Sequence, residues 1–91
     1  MFKVDLHSVK KDLKKIPHYV VIKLQAWARD VELFGLPEIR KVPGYHDEPL
    51  KGKRSGQRSI RLSKSYRAIY TTSKSGAITI VSVEEVNKHE Y

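Results

Sequence analysis

Apolar and polar residues alternate at the start of the chain. Phe2, Val4 and Leu6 are separated by Lys3 and Asp5, the period of a half-buried strand. Ser8 then offers an N-cap for a short helix over 9–16, with Asp12 in its first turns, where a carboxylate suits the helix dipole. Val9, Leu13 and Ile16 fall on one side of that helix, and Lys10, Lys11, Lys14 and Lys15 fall elsewhere. Pro17 ends it. From His18 the spacing of Val20, Leu24, Trp27, Val31 and Phe34 predicts a longer helix with a core-facing stripe, closed by Gly35 and stopped by Pro37. A tight link at Pro17 makes the two helices antiparallel neighbours.

Residues 38–54 contain Pro43, Pro49, Gly44 and Gly52 and few apolar side chains, so they read as loop, with at most one helical turn over 37–41. Loops of this length in a small domain are usually functional. The period then switches to that of strands over 57–62, 66–72 and 77–86, linked by Ser-Lys-Ser and Ser-Lys-Ser-Gly. Short links mean hairpins and antiparallel pairing. The expected fold is α+β, in the order β-α-α-β-β-β: a small, twisted antiparallel sheet packed against two N-terminal helices. No internal repeat or second domain interrupts residues 1–91.

The first hairpin can be read to the level of register. If Ser63-Lys64-Ser65 is a three-residue loop, Arg61 stands opposite Arg67, and Ile60 and Leu62 share a face with Ala68 and Tyr70. Ser59, Arg61 and Arg67 then share the other face. An even-length loop would put the two arginines on opposite faces. Like charges directly opposed in a sheet are unfavourable, so the odd register calls for an anion between them. Arg67 also lies in SYRAIY, the strand expected to be central, where a guanidinium needs an acceptor. Glu48 is the candidate within the protein and a phosphate the candidate outside it.

Composition strengthens the phosphate reading. Eighteen Lys and Arg against ten Asp and Glu give a net charge of +8 on 91 residues, which predicts salt-sensitive attraction to a polyanion. Ordinary solubility charge and an acidic protein partner are the other readings of that excess. The chain has no cysteine, which excludes disulfide staples and thiolate metal sites. No apolar run is long enough for a membrane span, and the N-terminus lacks the order of a signal peptide, so a soluble cytoplasmic protein is expected.

The cations concentrate in EPLKGKRSGQRSIRL, where Glu48 is followed by Lys51, Lys53, Arg54, Arg58 and Arg61. At the far end, VNKHEY supplies His89, a group that titrates near neutrality, and Tyr91, a ring able to stack on a base. A metal site from His46, Asp47 and Glu48 with His89 is disfavoured, because consecutive side chains rarely converge on one ion. His7 and His18 read as incidental, and Trp27 as core.

Together HSVKKDLKKIP, EPLKGKRSGQRSIRLSKSYRAIY and the terminal KHEY resemble the RelE/ParE superfamily of bacterial toxins, and within it the YoeB- and HigB-like messenger RNA interferases. The likeness spans nearly the whole chain, and its middle stretch is the most specific part. It implies a fold similar to microbial ribonucleases and an endoribonuclease that cuts messenger RNA on the ribosome and inhibits translation. Attack by the 2′-hydroxyl on the adjacent phosphate needs no metal or cofactor. By the resemblance, Glu48 is the general base, Arg67 stabilises the phosphorane, His89 is the general acid and Tyr91 stacks on a base. Lys51 and Arg61 match cations around the RNA backbone, and the wider run of Lys51, Lys53, Arg54, Arg58 and Arg61 reads as the RNA-binding wall. In YoeB-like toxins the histidine directly precedes the final tyrosine, whereas here Glu90 intervenes, which makes Glu90 a second candidate for the acid. The implied partners are a cognate antitoxin, the ribosome and messenger RNA, with the free toxin a monomer or homodimer. The alternatives are a ParE-like inhibitor of DNA gyrase and a non-catalytic nucleic-acid-binding protein.

Overall fold

The computed structural model describes residues 1–88. Strand β1 (Phe2–Asp5) is followed by two 3-10 turns, His7–Val9 and Asp12–Lys15, then helix α1 (His18–Phe34) and a single helical turn, α2 (Leu36–Ile39). A further 3-10 turn, Pro43–Tyr45, leads into β2 (Glu48–Pro49). The turn Gly52–Arg54 precedes the strands β3 (Arg58–Arg61), β4 (Tyr66–Ser75) and β5 (Ile78–Lys88).

The α+β class holds. The five strands form one sheet in the order β1-β5-β4-β3-β2. Pairing is antiparallel from β2 to β5, but β1 joins β5 in parallel, with Val4 opposite Val81, so the sheet is mixed rather than wholly antiparallel. An edge strand leaves backbone donors unpaired. Glu32 of α1 covers one of them, accepting the Val4 N–H at 2.8 Å.

The segment expected as a first α-helix is instead the pair of 3-10 turns. Eight residues crowded with lysines and stopped by Pro17 are too short to sustain α-helix nucleation. Its inward side is as expected: Val9 is buried, and Leu13 and Ile16 pack against the core. Ser8 lies inside the first turn rather than capping it, and the Asp5 carboxylate accepts the His7 N–H at 2.8 Å.

Helix α1 lays Val20, Leu24, Trp27 and Val31 on the sheet, all fully buried. Phe34 departs from this stripe and is exposed, because the helix breaks at Gly35 and Leu36 beyond the break fills the core. From the sheet come Ile60, Ala68, Tyr70, Val81 and Val83, with Leu62 just past the end of β3. The Tyr70 and Trp27 rings meet at 5.4 Å between centroids. No helix among the described residues is long and apolar enough to cross a membrane.

Candidate active site

The three-residue hairpin forms as read. Leu62 N–H donates to the Tyr66 carbonyl at 2.9 Å, and the register sets Ile60 opposite Ala68 and Arg61 opposite Arg67. Alternation then decides which side chains meet. One face of β3 and β4 carries Ile60, Leu62, Ala68 and Tyr70 into the core, and the other carries Ser59, Arg61, Arg67 and Ile69.

The short strand β2 extends this outer face by one row, with Glu48 opposite Ser59. This puts a carboxylate, a hydroxyl and a guanidinium together across three strands. Arg67 Nη1 donates to Ser59 Oγ at 3.0 Å and reaches Glu48 Oε1 at 3.4 Å. The second carboxylate oxygen, Glu48 Oε2, lies 3.6 Å from His46 Nε2. Ser59 is almost wholly buried, so its hydroxyl fixes the guanidinium from below. Ile69, opposite both Ser59 and Glu85, gives this face a buried apolar element.

A second rim is built from β5. Glu85 faces Ile69 across the sheet and accepts both arms of Arg54, at 2.9 and 3.3 Å, tying the turn Gly52–Arg54 to the last strand. Hydrogen bonds from Arg54, and then from Asn87, hold the Glu85 carboxyl below the usual carboxylate range. A bulge at Ile69/Tyr70 leaves Glu84 as the extra residue, and Glu84 binds Thr71 Oγ1 at 2.7 Å and Gln57 Nε2 at 3.3 Å.

The cations expected to grip RNA therefore divide. Lys51 and Lys53 are exposed in the loop after β2, Arg61 lies on the outer face, and Arg54 stands over β5 in its pairing with Glu85. Arg58 does not lie with them. It shares the parity of Ile60, opposite Tyr70, and its Nε donates to Asp47 Oδ1 at 2.6 Å on the core-packing side. Burial works against the charged guanidinium, but the hydrogen bond and charge of Asp47 outweigh it and push the pKa of Arg58 up. The Asp47 side chain is only 1% exposed and also accepts the Tyr70 hydroxyl at 2.5 Å. Burial first, then this bond, raises the Tyr70 phenol to about 12.

Asp47 thus points inward while His46 and Glu48 meet outside, and the three side chains do not converge. Among the described residues no cluster of His, Asp and Glu has the makings of a metal site. His89, Glu90 and Tyr91, expected as acid, alternative acid and stacking ring, lie outside the described residues. Asp47, Ser59 and His46 were not singled out as working parts of the site by sequence reasoning. Only Ser59 left a signal, the parity it shares with Arg61.

No family model matches the sequence, and no curated protein sequence matches it. The fold does have counterparts among solved structures. A YoeB/ParE toxin from Agrobacterium tumefaciens superposes with a TM-score of 0.65 at 22% identity, covering 98% of each chain. YafQ from E. coli strain BL21(DE3) gives 0.68 at 18% identity, over 97% of this chain and 91% of that one. The RelBE2 toxin–antitoxin complex from Mycobacterium tuberculosis gives 0.67 at 20% identity, over 96% of both chains. With its mixed five-stranded sheet and its helical layer, the chain has the RelE-like fold of these toxins.

Proposed function

We propose that the protein is the toxin of a toxin–antitoxin pair, and that it cleaves messenger RNA on the ribosome by metal-independent attack of a 2′-hydroxyl. The observation that carries this reading is Arg67, which is held by Ser59 and reaches Glu48 on a face where Arg61 stands directly opposite. That grouping supplies what the reaction demands: a carboxylate to take a proton and a fixed guanidinium where charge builds on the non-bridging oxygens.

Glu48 takes the 2′-hydroxyl proton, and the 2′-oxygen forms its bond to the adjacent phosphorus. The bond from phosphorus to the 5′-oxygen breaks, leaving a 2′,3′-cyclic phosphate, and the departing oxygen takes a proton from the general acid, a role given to His89 by its resemblance. Arg67 neutralises the phosphorane, Arg61, Lys51, Lys53 and Arg54 follow the flanking phosphates, and Tyr91 stacks on a base. Arg58 serves the scaffold instead, through Asp47. The structures of RelBE2 and of YoeB–YefM from Staphylococcus aureus are toxin–antitoxin complexes, and that of YoeB from the same organism is a dimer. An antitoxin is the partner proposed here.

The test is to translate a reporter messenger with the purified protein and map new 5′ ends, with and without ribosomes. Codon-phased cuts that need ribosomes are expected. Absence of such cuts, together with blocked supercoiling by gyrase, would overturn the nuclease reading in favour of a ParE-like poison. Induced growth arrest should be lost in Glu48→Ala, Arg67→Ala and His89→Ala; unchanged toxicity in all three would remove this active site.

A further inference from the structure

His46 is the only non-glycine residue among those described with a positive φ, at 46° with ψ 50°. A residue with a side chain gives up roughly 1 kcal/mol or more in that conformation. Such a residue persists where its surroundings over-determine it, and here they do. On one side Tyr45 is buried, with Lys23 of α1 lying 4.8 Å from its ring centroid. On the other side the Asp47 carboxylate is locked between Arg58 and Tyr70. The His46 N–H also closes the turn onto the Pro43 carbonyl at 3.1 Å. With both neighbours anchored inward, the left-handed backbone turns the imidazole out, to 3.6 Å from Glu48 Oε2.

We propose that His46 is a proton-relay residue for Glu48, an inference that rests on the nuclease reading above. Arg67 reaches Oε1 and His46 Nε2 faces Oε2 at 3.6 Å, so the carboxylate lies between a guanidinium and an imidazole. His46 is on the same side of the site as the base, and an in-line displacement places the acid opposite. It is therefore not the group that protonates the leaving oxygen. After the 2′-hydroxyl proton arrives on Glu48, neutral Nε2 accepts it, and the resulting imidazolium, on a side chain 60% exposed, passes it to water. Catalytic hydrogen bonds are often long before substrate binds, and the 3.6 Å separation closes by about half an ångström to become one.

The arrangement makes the base sensitive to pH. The charged groups around His46 are Glu48 on β2, Arg67 on β4 with Arg61 opposite it, the inward Asp47–Arg58 pair, and Lys23 on α1, with Asp30 of α1 facing the Tyr45 hydroxyl. Imidazole is the one side chain in this set that ordinarily changes charge between pH 5 and 8. Protonated, His46 adds a second cation against Glu48 and has no site for its proton; neutral, it accepts that proton.

The test measures single-turnover cleavage of ribosome-bound messenger across neutral pH for the wild type, His46→Gln and His46→Ala. His46→Asn, which tolerates the left-handed backbone, controls for the turn. The wild-type profile should carry an acid limb that His46→Gln lacks. His46→Ala should lower the rate about tenfold with half-saturation within twofold, less than the hundredfold or more of a direct proton-transfer group. A wild type that cuts while His46→Gln keeps the same rate and pH profile overturns the role of His46 and leaves the nuclease standing. A wild type that does not cut with ribosomes overturns both.

Discussion

Arg61 and Arg67 face one another across the β3–β4 hairpin, and among the described residues only Arg67 has a carboxylate to hold it. Such opposition costs a few tenths to about 1 kcal/mol, and the site keeps it. Arg67 is fixed by Ser59 and Glu48, while no hydrogen bond or ion pair within the described residues engages Arg61. The two arginines are therefore expected to fail differently. Arg67→Ala should lower the cleavage rate by about a hundredfold to a thousandfold, as loss of a preorganised donor does. Arg67→Lys should recover little, because a compact ammonium lacks the planar fork that meets two phosphate oxygens at once.

Arg61→Ala should act on binding instead. Its loss is expected to raise half-saturation several-fold and reduce the salt dependence of RNA binding by about one phosphate contact, with the maximal rate largely kept. Titration of binding at several salt concentrations checks this. An unchanged salt slope with a collapsed rate would mean that Arg61, not Arg67, carries the transition-state charge.

Asp47 is expected to matter for stability more than for chemistry. Asp47→Ala leaves Arg58 and the Tyr70 hydroxyl without their acceptor, which should cost about 3 kcal/mol, near the low end for breaking a buried pair because Arg58 keeps some contact with water. Urea unfolding reads the loss. A variant within about 1 kcal/mol of the wild type would mean that water replaces the carboxylate at no great cost.

The Tyr70 phenol gives that same cluster an alkaline limit. Its pKa in the fold is about 12, above the 10.0 of a free phenol, so the folded state holds the proton more tightly than the unfolded chain. The stabilisation is complete below pH 10 and is lost as pH rises toward 12. Tyr70→Phe should lower stability at neutral pH and flatten that alkaline decline. Thermal unfolding at a series of pH values checks both, and a decline of the same slope in Tyr70→Phe would assign it to other groups.

The parts of this architecture that were legible beforehand are those written in periodicity. The odd loop Ser63-Lys64-Ser65 fixed the register that opposes Arg61 to Arg67, and the stripe of Val20, Leu24, Trp27 and Val31 marked the buried side of α1. Alternation in Phe2, Val4 and Leu6 tells which face is buried but not which strand lies alongside, so the parallel joint to β5 left no local trace. The two residues of β2 are too few to carry a period, yet they deliver Glu48 to Ser59. Arg58 is a different case. Its parity with Ile60 already placed it on the core face, but the acceptor that makes a guanidinium tolerable there, Asp47, lies in a loop with no pattern to announce it.

Gly35 is the joint on which the end of α1 depends. Its φ of 88° with ψ of 145° is a backbone state that residues with a Cβ rarely adopt, and an added Cβ would stand 3.3 Å from the Phe2 ring. Gly35→Ala therefore combines backbone strain with displacement of an aromatic that packs on the core, and should cost about 2 kcal/mol. For a domain of this size that corresponds to a fall in Tm of roughly 10 °C. Gly56, at φ 97° with open space around its Cβ position, separates the two contributions. Gly56→Ala carries the strain alone and should cost about half as much. If both variants melt at the same temperature, the Phe2 contact contributes nothing, and the break after α1 is held by backbone conformation only.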